Sequence, residues 1–221
     1  MANSIPATIW MLLYILLDQD LAQRLEPEIG PALSGPFELD SYNHLSRPLL
    51  HSVYCETLRL RIAGAVGRKC LDSDFSLGDC KIKQNIPVMF SNWLGSVDGS
   101  FWNTSDVSWE RDKHPVDTFW AERFLGDHRK ALVKAGLTGN WFPFGRGGAS
   151  KCPGESLARH TILGSVVMVL RSLDLRLLDP VAAAKVGSRH RTFPFGSHAF
   201  DREVPITVQL RESIPSDDAH S

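Results

Sequence analysis

The sequence predicts a mainly α-helical protein with small β-sheets. Three long stretches repeat apolar residues at steps of three and four, which is the spacing of a helix with a packed face. Between the second and third stretches, short alternating segments rich in Gly and Asp are typical of strands joined by turns. The 221 residues are 43% hydrophobic and 22% charged. This is the composition of an ordinary globular protein, with room for one sizeable domain or two small ones.

The first helix is predicted from Ala7 to about Leu25, a range without Pro or Gly. Trp10 and several Leu residues recur in it mostly at four-residue steps, so a long and mostly buried helix is predicted. Pro6 suits the first turn, where a missing N–H costs little, and the helix is predicted to end before Pro27.

No segment of the chain is predicted to cross a membrane. The apolar stretch Ile5–Leu17 has 13 residues, short of the roughly 20 that a bilayer requires. Residues 1–4 carry no basic side chain and no good cleavage site follows, so a signal peptide is not favoured. We therefore predict no membrane anchor in this chain.

Two further helices are predicted, one from Pro48 to Leu60 and one from near Pro153 to Leu173. Residues 75–88 are predicted to form two or three short strands, and residues 95–150 are rich in loop-forming residues. The stretch Val204–Leu210 alternates cleanly and predicts a final strand.

Charge and cysteine content exclude several classes of protein. Lys and Arg number 24 against 25 Asp and Glu, a formal net charge of −1. This argues against a nucleic-acid binder with a broad basic surface. The four cysteines contain no C-x-x-C pair, so neither a disulfide scaffold nor a structural zinc site is predicted.

The most informative stretch runs from Trp141 to Gly154, where Cys152 follows a glycine-rich loop at the start of the third helix. A helix N-terminus favours thiolate over thiol, and backbone N–H groups near Gly154 can bond the sulfur. The small residues at positions 145, 147 and 148 let the backbone pass close to a flat, bulky group. A thiolate presented in this way suits a soft or borderline metal, including haem iron. The alternative is a buried cysteine that caps a helix.

Two charged motifs accompany this loop. Glu56 and Arg59 lie at i and i+3 on the apolar second helix, and Arg123 lies between aromatic residues in the segment Phe119–Phe124. Because buried charges must be paired, Glu56, Arg59 and Arg123 are predicted to form one network. The alternative is an ordinary surface ion pair.

In their order and spacing, these motifs resemble those of the cytochrome P-450 family, most closely its fungal members. Glu56-x-x-Arg59 is similar to the family's E-x-x-R pair. The segment Ala121–Phe124 (AERF) is similar to its P-E-R-F segment with Ala for Pro. The loop that ends at Cys152-Pro153-Gly154 resembles its haem-binding signature. The resemblance covers almost the whole chain but only the C-terminal portion of the family's length.

The resemblance implies the C-terminal part of the cytochrome P-450 fold over residues 1–212, with the haem-binding loop at 141–154 and a polar tail at 213–221. It implies a haem b cofactor whose iron is bound by Cys152. Further cofactor-binding residues are implied at Phe144, which would shield the sulfur, and at Gly147, Gly148, Gly154, Arg68 and Lys151.

Individual roles follow from the same resemblance. Arg68 would pair with a haem propionate, although a solvent-facing turn arginine is the alternative. Ser150 stands where many members carry a second basic partner, which Lys151 would replace. The distance from Phe144 to Cys152 is one residue longer than the family spacing. The implied role of the Glu56, Arg59 and Arg123 network is to hold the region below the haem.

Residues 2–10 resemble the end of the long helix that crosses the distal haem face, in a subgroup similar to prostacyclin synthase and sterol 7-alpha-hydroxylases. Asn3 would then stand where most members carry an oxygen-activating Thr, which makes it a catalytic candidate. The alternative for Asn3 is a helix cap.

The implied function is a haem-thiolate monooxygenase. An NADPH-dependent reductase would supply electrons, and one atom of O2 would enter a lipophilic small molecule such as a sterol or a fungal secondary metabolite. Two alternatives stay open: a catalytically silent truncated fragment or interaction module, and an isomerase that rearranges an oxygenated substrate without a reductase. A full-length relative is expected at the endoplasmic reticulum membrane, and a chain without an anchor in the cytoplasm.

Overall fold

The computed structural model describes residues 3–29, 47–102, 114–145, 151–188 and 196–211. The helices are α1 Ser4–Leu17, α2 Gln19–Ile29, α3 Pro48–Arg61, α4 Asn92–Ser96, α5 Gly99–Trp102, α6 Gly126–Lys134, α7 Glu155–Ser172 and α8 Pro180–Ala184. The strands are β1 Ile62–Ala63, β2 Ala65–Lys69, β3 Phe75–Leu77, β4 Cys80–Ile82, β5 Pro87–Ser91, β6 Leu173–Leu177, β7 Gly196–Ser197 and β8 Ile206–Leu210. The predicted class, mainly α with small sheets, is confirmed; the predicted tail at 213–221 lies outside the described residues.

Four two-stranded antiparallel sheets form within the described ranges: β1–β7, β2–β5, β3–β4 and β6–β8. The sheets surround a helical core in which α1 packs against α2, α3 and α7. The inner side of α1 supplies Met11 and Ile15, α3 supplies Val53 and Leu58, and α7 supplies Leu163, all at most 1% exposed. The core therefore lies between the buried faces of α1, α3 and α7.

The prediction of one helix from Ala7 to Leu25 is wrong. The backbone turns by 116° between α1 and α2, at Asp18, which is extended (φ −121°, ψ 97°). The Asp18 carboxylate accepts a hydrogen bond from the Leu21 N–H at 3.0 Å and so caps a new helix. Among the described residues, no single helix is long and apolar enough to span a bilayer. The bent pair α1 and α2 reaches the required length and composition only when the two helices are taken together.

The prediction that Pro27 ends the helix is also wrong, because α2 continues to Ile29. Burial of one side chain and the hydrogen bonds of another stabilise the last turn of α2. Ile29 is 3% exposed, and the Glu28 carboxylate accepts hydrogen bonds from the backbone N–H groups of Leu49 and Leu50 at 3.0 and 2.8 Å. The acidic side chain thereby caps the N-terminus of α3, where a negative charge is favoured.

Three elements lie where the sequence predicts loops or nothing. The chain after α3 passes directly into β1 and β2, between the end of the predicted helix at Leu60 and the strands predicted over residues 75–88. Residues 126–134 form α6 within the region expected to be loop-rich. Leu132 is the only buried residue in α6, so this helix lacks the apolar periodicity that would have predicted it.

Candidate functional site

A cavity of about 600 Å³ opens between the start of α1, the strands β1 and β2, and the loop that precedes α7. This size falls within the usual range for small-molecule and cofactor sites. The wall contributed by the loop and α7 includes Phe144, Cys152, Gly154, Leu157 and Ala158. Of the four cysteines, all of them in described ranges, only Cys152 lines this cavity.

Backbone hydrogen bonds fix Cys152 at the mouth of α7. Its N–H donates to the Phe144 carbonyl at 2.7 Å, and its carbonyl accepts from the Glu155 N–H at 3.3 Å. This hydrogen bond joins residues 144 and 152, although the distance between them along the chain is one residue longer than the family spacing. Gly154 begins the helix, and its carbonyl accepts from the Ala158 N–H at 2.8 Å.

Cys152 and Cys55 occupy opposite environments. Cys152 is exposed, whereas Cys55 is buried within α3, and burial raises the pKa of the Cys55 thiol far above its ordinary value. A Cβ atom built on Gly154 would lie 3.8 Å from the Cys152 Sγ, so the sulfur lies beside a position without a side chain. Cys152 is thus an accessible sulfur at a helix N-terminus, which is the setting that favours a thiolate ligand.

Arg68 lines the same cavity from β2. Its guanidinium is exposed and donates to the Gly67 carbonyl at 2.8 Å, and no carboxylate in the described ranges pairs with it. Lys151 is placed differently. It pairs with Glu155 at 2.8 Å and lines a second hollow of about 420 Å³, which Cys152 also lines and Arg68 does not. Cys152 therefore shares the larger cavity with Arg68 and the smaller hollow with Lys151.

Three other predicted site residues belong to the loop itself. Phe144 is half-buried, lines the cavity and packs against the main core. Gly147 and Gly148 lie outside the described residues.

Asn3 lines the cavity from the start of α1. Asn3 occupies the N-cap position of α1, but its side chain makes no capping hydrogen bond. Its carbonyl accepts a hydrogen bond from the Ser197 hydroxyl, and a Cβ atom on Gly196 would overlap its amide. Gly196 has a φ of 107°, a conformation that also favours glycine. β7 therefore holds Asn3 at the rim of the cavity.

Glu56, Arg59 and Arg123 form one buried network. The Arg59 guanidinium donates to both Glu56 carboxylate oxygens at 2.7 and 2.8 Å, and Arg123 Nε donates to Glu56 Oε1 at 2.9 Å. Glu56 is fully buried and Arg59 is 1% exposed. Burial by itself raises the pKa of Glu56, but the two guanidiniums more than offset it, so the pKa lies below its ordinary value.

The network extends to the backbone around the site. Arg59 Nη1 donates to the Ser96 carbonyl at 2.5 Å, and Arg123 Nη2 donates to the Pro115 carbonyl at 3.1 Å. Ser96 is the last residue of the short helix α4, whereas Pro115 lies in a segment without regular structure. The ion pairs thus bind α3 to α4 and to residues 114–124.

Sequence reasoning missed two residues, Ser52 and Trp141. They hold residues 121–124 and the start of the loop against α3. The Ser52 hydroxyl donates to the Ala121 carbonyl at 2.5 Å and accepts from the Phe124 N–H at 3.0 Å. Trp141 Nε1 donates to the Cys55 carbonyl at 2.9 Å and so fixes the start of the loop on α3. Neither partner is close in sequence, so no local pattern could have found them.

Comparison with known proteins identifies the family. The family model described as Cytochrome P450 matches residues 1–186. The chain belongs to the cytochrome P450 family. Its helices and small antiparallel sheets are the C-terminal part of the P450 fold.

Several relatives are named as P450 enzymes. The chain is 34% identical to "Cytochrome P450 monooxygenase efuG" of Hormonema carpetanum over 96% of this chain and 41% of the relative. It is 30% identical to "Cytochrome P450 monooxygenase fsoE" of Humicola fuscoatra, over 96% and 40% respectively. A third relative, "Cholesterol 7-alpha-monooxygenase" of Cricetulus griseus, is 26% identical over 80% and 36%. The chain thus spans about two-fifths of the length of the curated relatives it matches.

The P450 family implies a haem cofactor with a cysteine thiolate, and the cavity fits such a group. One sulfur donor lies at its wall, and apolar side chains of Val66, Leu157 and Ala158 suit a flat macrocycle. Arg68 supplies a positive charge at the wall, which suits an anionic edge. The donor set and the lining agree with a haem-thiolate site on this side of the cavity.

Proposed function

We propose that this chain provides the thiolate side of the haem site of a cytochrome P450 monooxygenase. The observation that carries the proposal is the position of Cys152, an accessible sulfur at the N-terminus of α7 that lines one cavity together with Arg68 and Phe144. Haem b would be bound through the Cys152 sulfur. Gly147 and Gly148 would give the loop room to pass beside the cofactor.

Each residue has a defined task in this proposal. Cys152 supplies the sulfur ligand from the start of α7, and Phe144, which lines the same cavity, would shield the sulfur. Arg68 binds a propionate by charge-assisted hydrogen bonds. The Glu56, Arg59 and Arg123 network keeps the segment before the loop from moving. When bound, haem supplies the activation of O2 from which one oxygen atom is inserted into the substrate.

The proposed substrate is a lipophilic small molecule of the sterol or fungal secondary-metabolite class, and the proposed electron donor is an NADPH-dependent reductase. The name of the Cricetulus griseus relative, a cholesterol monooxygenase, supports the sterol part of this class. We propose the endoplasmic reticulum membrane as the location of a full-length form. The catalytic proposal concerns the whole P450 site, of which this chain supplies one side.

Haem titration of the purified chain tests the proposal. The reduced, carbon-monoxide-bound absorption spectrum is expected to show a thiolate-type Soret band. Cys152→Ser is expected to lose that band, whereas Cys80→Ser is expected to keep it. Cys80 is a matched control because it is also exposed but lies outside the cavity. A parent chain that takes up no haem, or a Cys152→Ser variant with an unchanged spectrum, would refute the assignment.

The two basic candidates for the propionate can be separated in the same titration. Arg68→Ala is expected to weaken haem binding by about fivefold, the value of one exposed charge pair. Lys151→Ala is expected to change it little, because Lys151 already pairs with Glu155. A larger loss in Lys151→Ala than in Arg68→Ala would reverse the assignment.

A second candidate reaction is supported by Asn3, which lines the same cavity as Cys152. An asparagine in place of an oxygen-activating threonine suits the rearrangement of an already oxygenated substrate without a reductase. The haem-loaded chain would then turn over an organic hydroperoxide in the absence of NADPH and reductase. Product formation that depends strictly on reductase and O2 would favour the monooxygenase instead.

A further inference from the structure

We propose that Arg61 is a positioning residue that fixes the rim of the cavity, formed by Asn3 and Gly196. Both rim residues line the same cavity as Cys152, whereas Arg61 does not. Arg61 therefore acts through the residues that it holds. The meaning of the rim for catalysis rests on the proposed function, but the position of the rim is a property of the chain itself.

The guanidinium of Arg61 lies among aromatic rings and hydroxyl groups. Its central carbon is 3.6 Å from the centre of the Trp10 ring and 5.5 Å from the centre of the Tyr14 ring. The Arg61 Nε donates to the Tyr14 hydroxyl at 2.7 Å, and Nη1 donates to the Ser188 hydroxyl at 2.9 Å. A cation over the face of Trp is the strongest form of cation–π contact. Arg61 thereby joins the end of α3 to α1 and to Ser188, beyond α8.

These contacts differ in kind from those of the neighbouring arginine. Arg59 pairs with Glu56, whereas no carboxylate in the described part of the chain pairs with Arg61. Burial raises the pKa of the Tyr14 hydroxyl above its ordinary value, so Arg61 binds a neutral phenol. Contacts to ring faces and hydroxyl groups depend on direction more than the attraction between two charges does. The arrangement therefore suits the fixing of three segments in one geometry.

The backbone of Arg61 continues the connection to the rim. The Arg61 carbonyl accepts a hydrogen bond from the His198 N–H at 2.8 Å, and the two residues after Arg61 form β1, which pairs with β7. Trp10 Nε1 donates to the His198 carbonyl at 2.7 Å. The ring that lies under the guanidinium thus also holds the end of β7.

Strand β7 in turn sets the position of Asn3. The Ser197 hydroxyl donates to the Asn3 carbonyl, and a Cβ atom on Gly196 would overlap the Asn3 amide. Because the two rim residues are in direct contact, a displacement of β7 moves the Asn3 side chain as well. The chain of contacts therefore runs from Arg61 through β7 to the rim.

Hydrogen exchange of the cofactor-free chain tests this position. Arg61→Met keeps much of the side-chain length and loses the guanidinium. We expect the His198 N–H to exchange about tenfold faster, with exchange in α7 unchanged. Arg176→Met is the matched control, because the Arg176 side chain is 74% exposed, and it is expected to leave the His198 N–H unchanged. An equal rise in exchange throughout the chain would show a general effect on stability and would overturn the positioning role.

Three milder variants keep the test decisive if Arg61→Met fails to fold. Tyr14→Phe and Ser188→Ala each remove one hydroxyl that accepts from the guanidinium, and each is expected to speed exchange of the His198 N–H by about threefold. Arg61→Lys keeps the charge but loses the planar fork of donors, so its exchange rate is expected to lie between those of the parent and Arg61→Met. Unchanged exchange in all three variants would contradict the proposal.

A pair of ligands tests the consequence for the proposed haem site. Imidazole and 4-phenylimidazole both bind haem iron through nitrogen, but the phenyl ring also reaches the surrounding walls. In the haem-loaded chain, Arg61→Met is expected to weaken 4-phenylimidazole by about fivefold relative to imidazole, with the thiolate-type Soret band unchanged. Loss of the Soret band, or equal weakening of both ligands, would place the effect at the sulfur and not at the rim.

Failure of this proposal and failure of the proposed function give different results. If the parent chain takes up no haem, the proposed function fails, and exchange of the His198 N–H still decides the role of Arg61. If haem binds but the His198 N–H does not respond to Arg61→Met, the positioning role alone is refuted.

Discussion

The helices α1 and α3 have the same length of 14 residues, but they are enclosed very differently. α3 carries Glu56, Arg59 and Arg61, yet eleven of its residues are buried. α1 has no charged residue, yet only six of its residues are buried. The more polar helix is therefore the more buried one. Burial here follows the presence of partners in the chain and not the apolar content of the helix.

This contrast divides the molecule into two sides. We call the side around α3 the complete side, because its buried charges have partners, and the side around α1 the incomplete side, because part of that helix is exposed. Around α3, every charge that enters the core meets a partner: Glu56 meets two guanidiniums, and Arg59 also meets the Ser96 carbonyl. Around α1, the inner face is packed by α3 and α7, whereas Ile5 and Ile9 on the outer face are 65% and 45% exposed. Trp141 binds the loop that carries Cys152 to α3, so this wall of the cavity belongs to the complete side.

Removal of Arg59 is expected to have the largest effect, because it damages the complete side. Arg59→Ala leaves the Glu56 carboxylate in the core with one cation, and breaking a buried pair costs roughly 3–5 kcal/mol. We expect unfolding or aggregation, measured by urea denaturation and by soluble yield. Arg211→Ala, whose side chain is 42% exposed in its pair with Glu26, is the control and is expected to cost at most about 1 kcal/mol. Equal stability of the two variants would show that the network is superficial.

Truncations on the two faces of α1 measure the contrast within one helix. Met11 is fully buried and Ile9 is 45% exposed. Met11→Ala is expected to lower the free energy of unfolding by about 2–5 kcal/mol, and Ile9→Ala to change it by no more than about 0.5 kcal/mol. A large cost of Ile9→Ala in the chain by itself would show that the outer face is already covered.

Acid titration is expected to expose the electrostatic contribution of the complete side. The pKa of Glu56 lies below its ordinary value of 4.5. Its contribution to stability is therefore fully present above pH 4.5 and is lost as the pH falls through the lowered value. Arg123→Gln removes one cation, so the pKa of Glu56 rises and the variant is expected to lose stability at a higher pH than the parent. Chemical denaturation from neutral pH to below 4.5 measures this; identical acid profiles would contradict it.

The sequence best predicted the features that depend on neighbouring residues in the chain or on the need to pair a buried charge. An acid and a base at i and i+3 on an apolar helix must find partners if buried, and that rule predicted the Glu56, Arg59 and Arg123 network before any contact was known. The cysteine at the start of α7 is likewise a local signal. Ser52 and Trp141 act through backbone groups far away in sequence, so their roles required the structure. The open face of α1 was also hidden, because an apolar run predicts burial without showing how much of the burial the chain itself supplies.

A smaller loss than those of Arg59→Ala and Met11→Ala is expected at Asp18, which joins the two sides. The Asp18 carboxylate caps α2 through the Leu21 N–H at 3.0 Å, and α2 in turn presents Glu28 to the first turn of α3. Asp18→Ala is expected to cost about 1 kcal/mol, the usual value of an N-cap. Asp18→Asn keeps an acceptor oxygen and is expected to retain most of the stability, which separates the cap from simple charge. If thermal unfolding showed no loss in Asp18→Ala, packing of Leu21 and Leu25 alone would set the turn between the incomplete and the complete side.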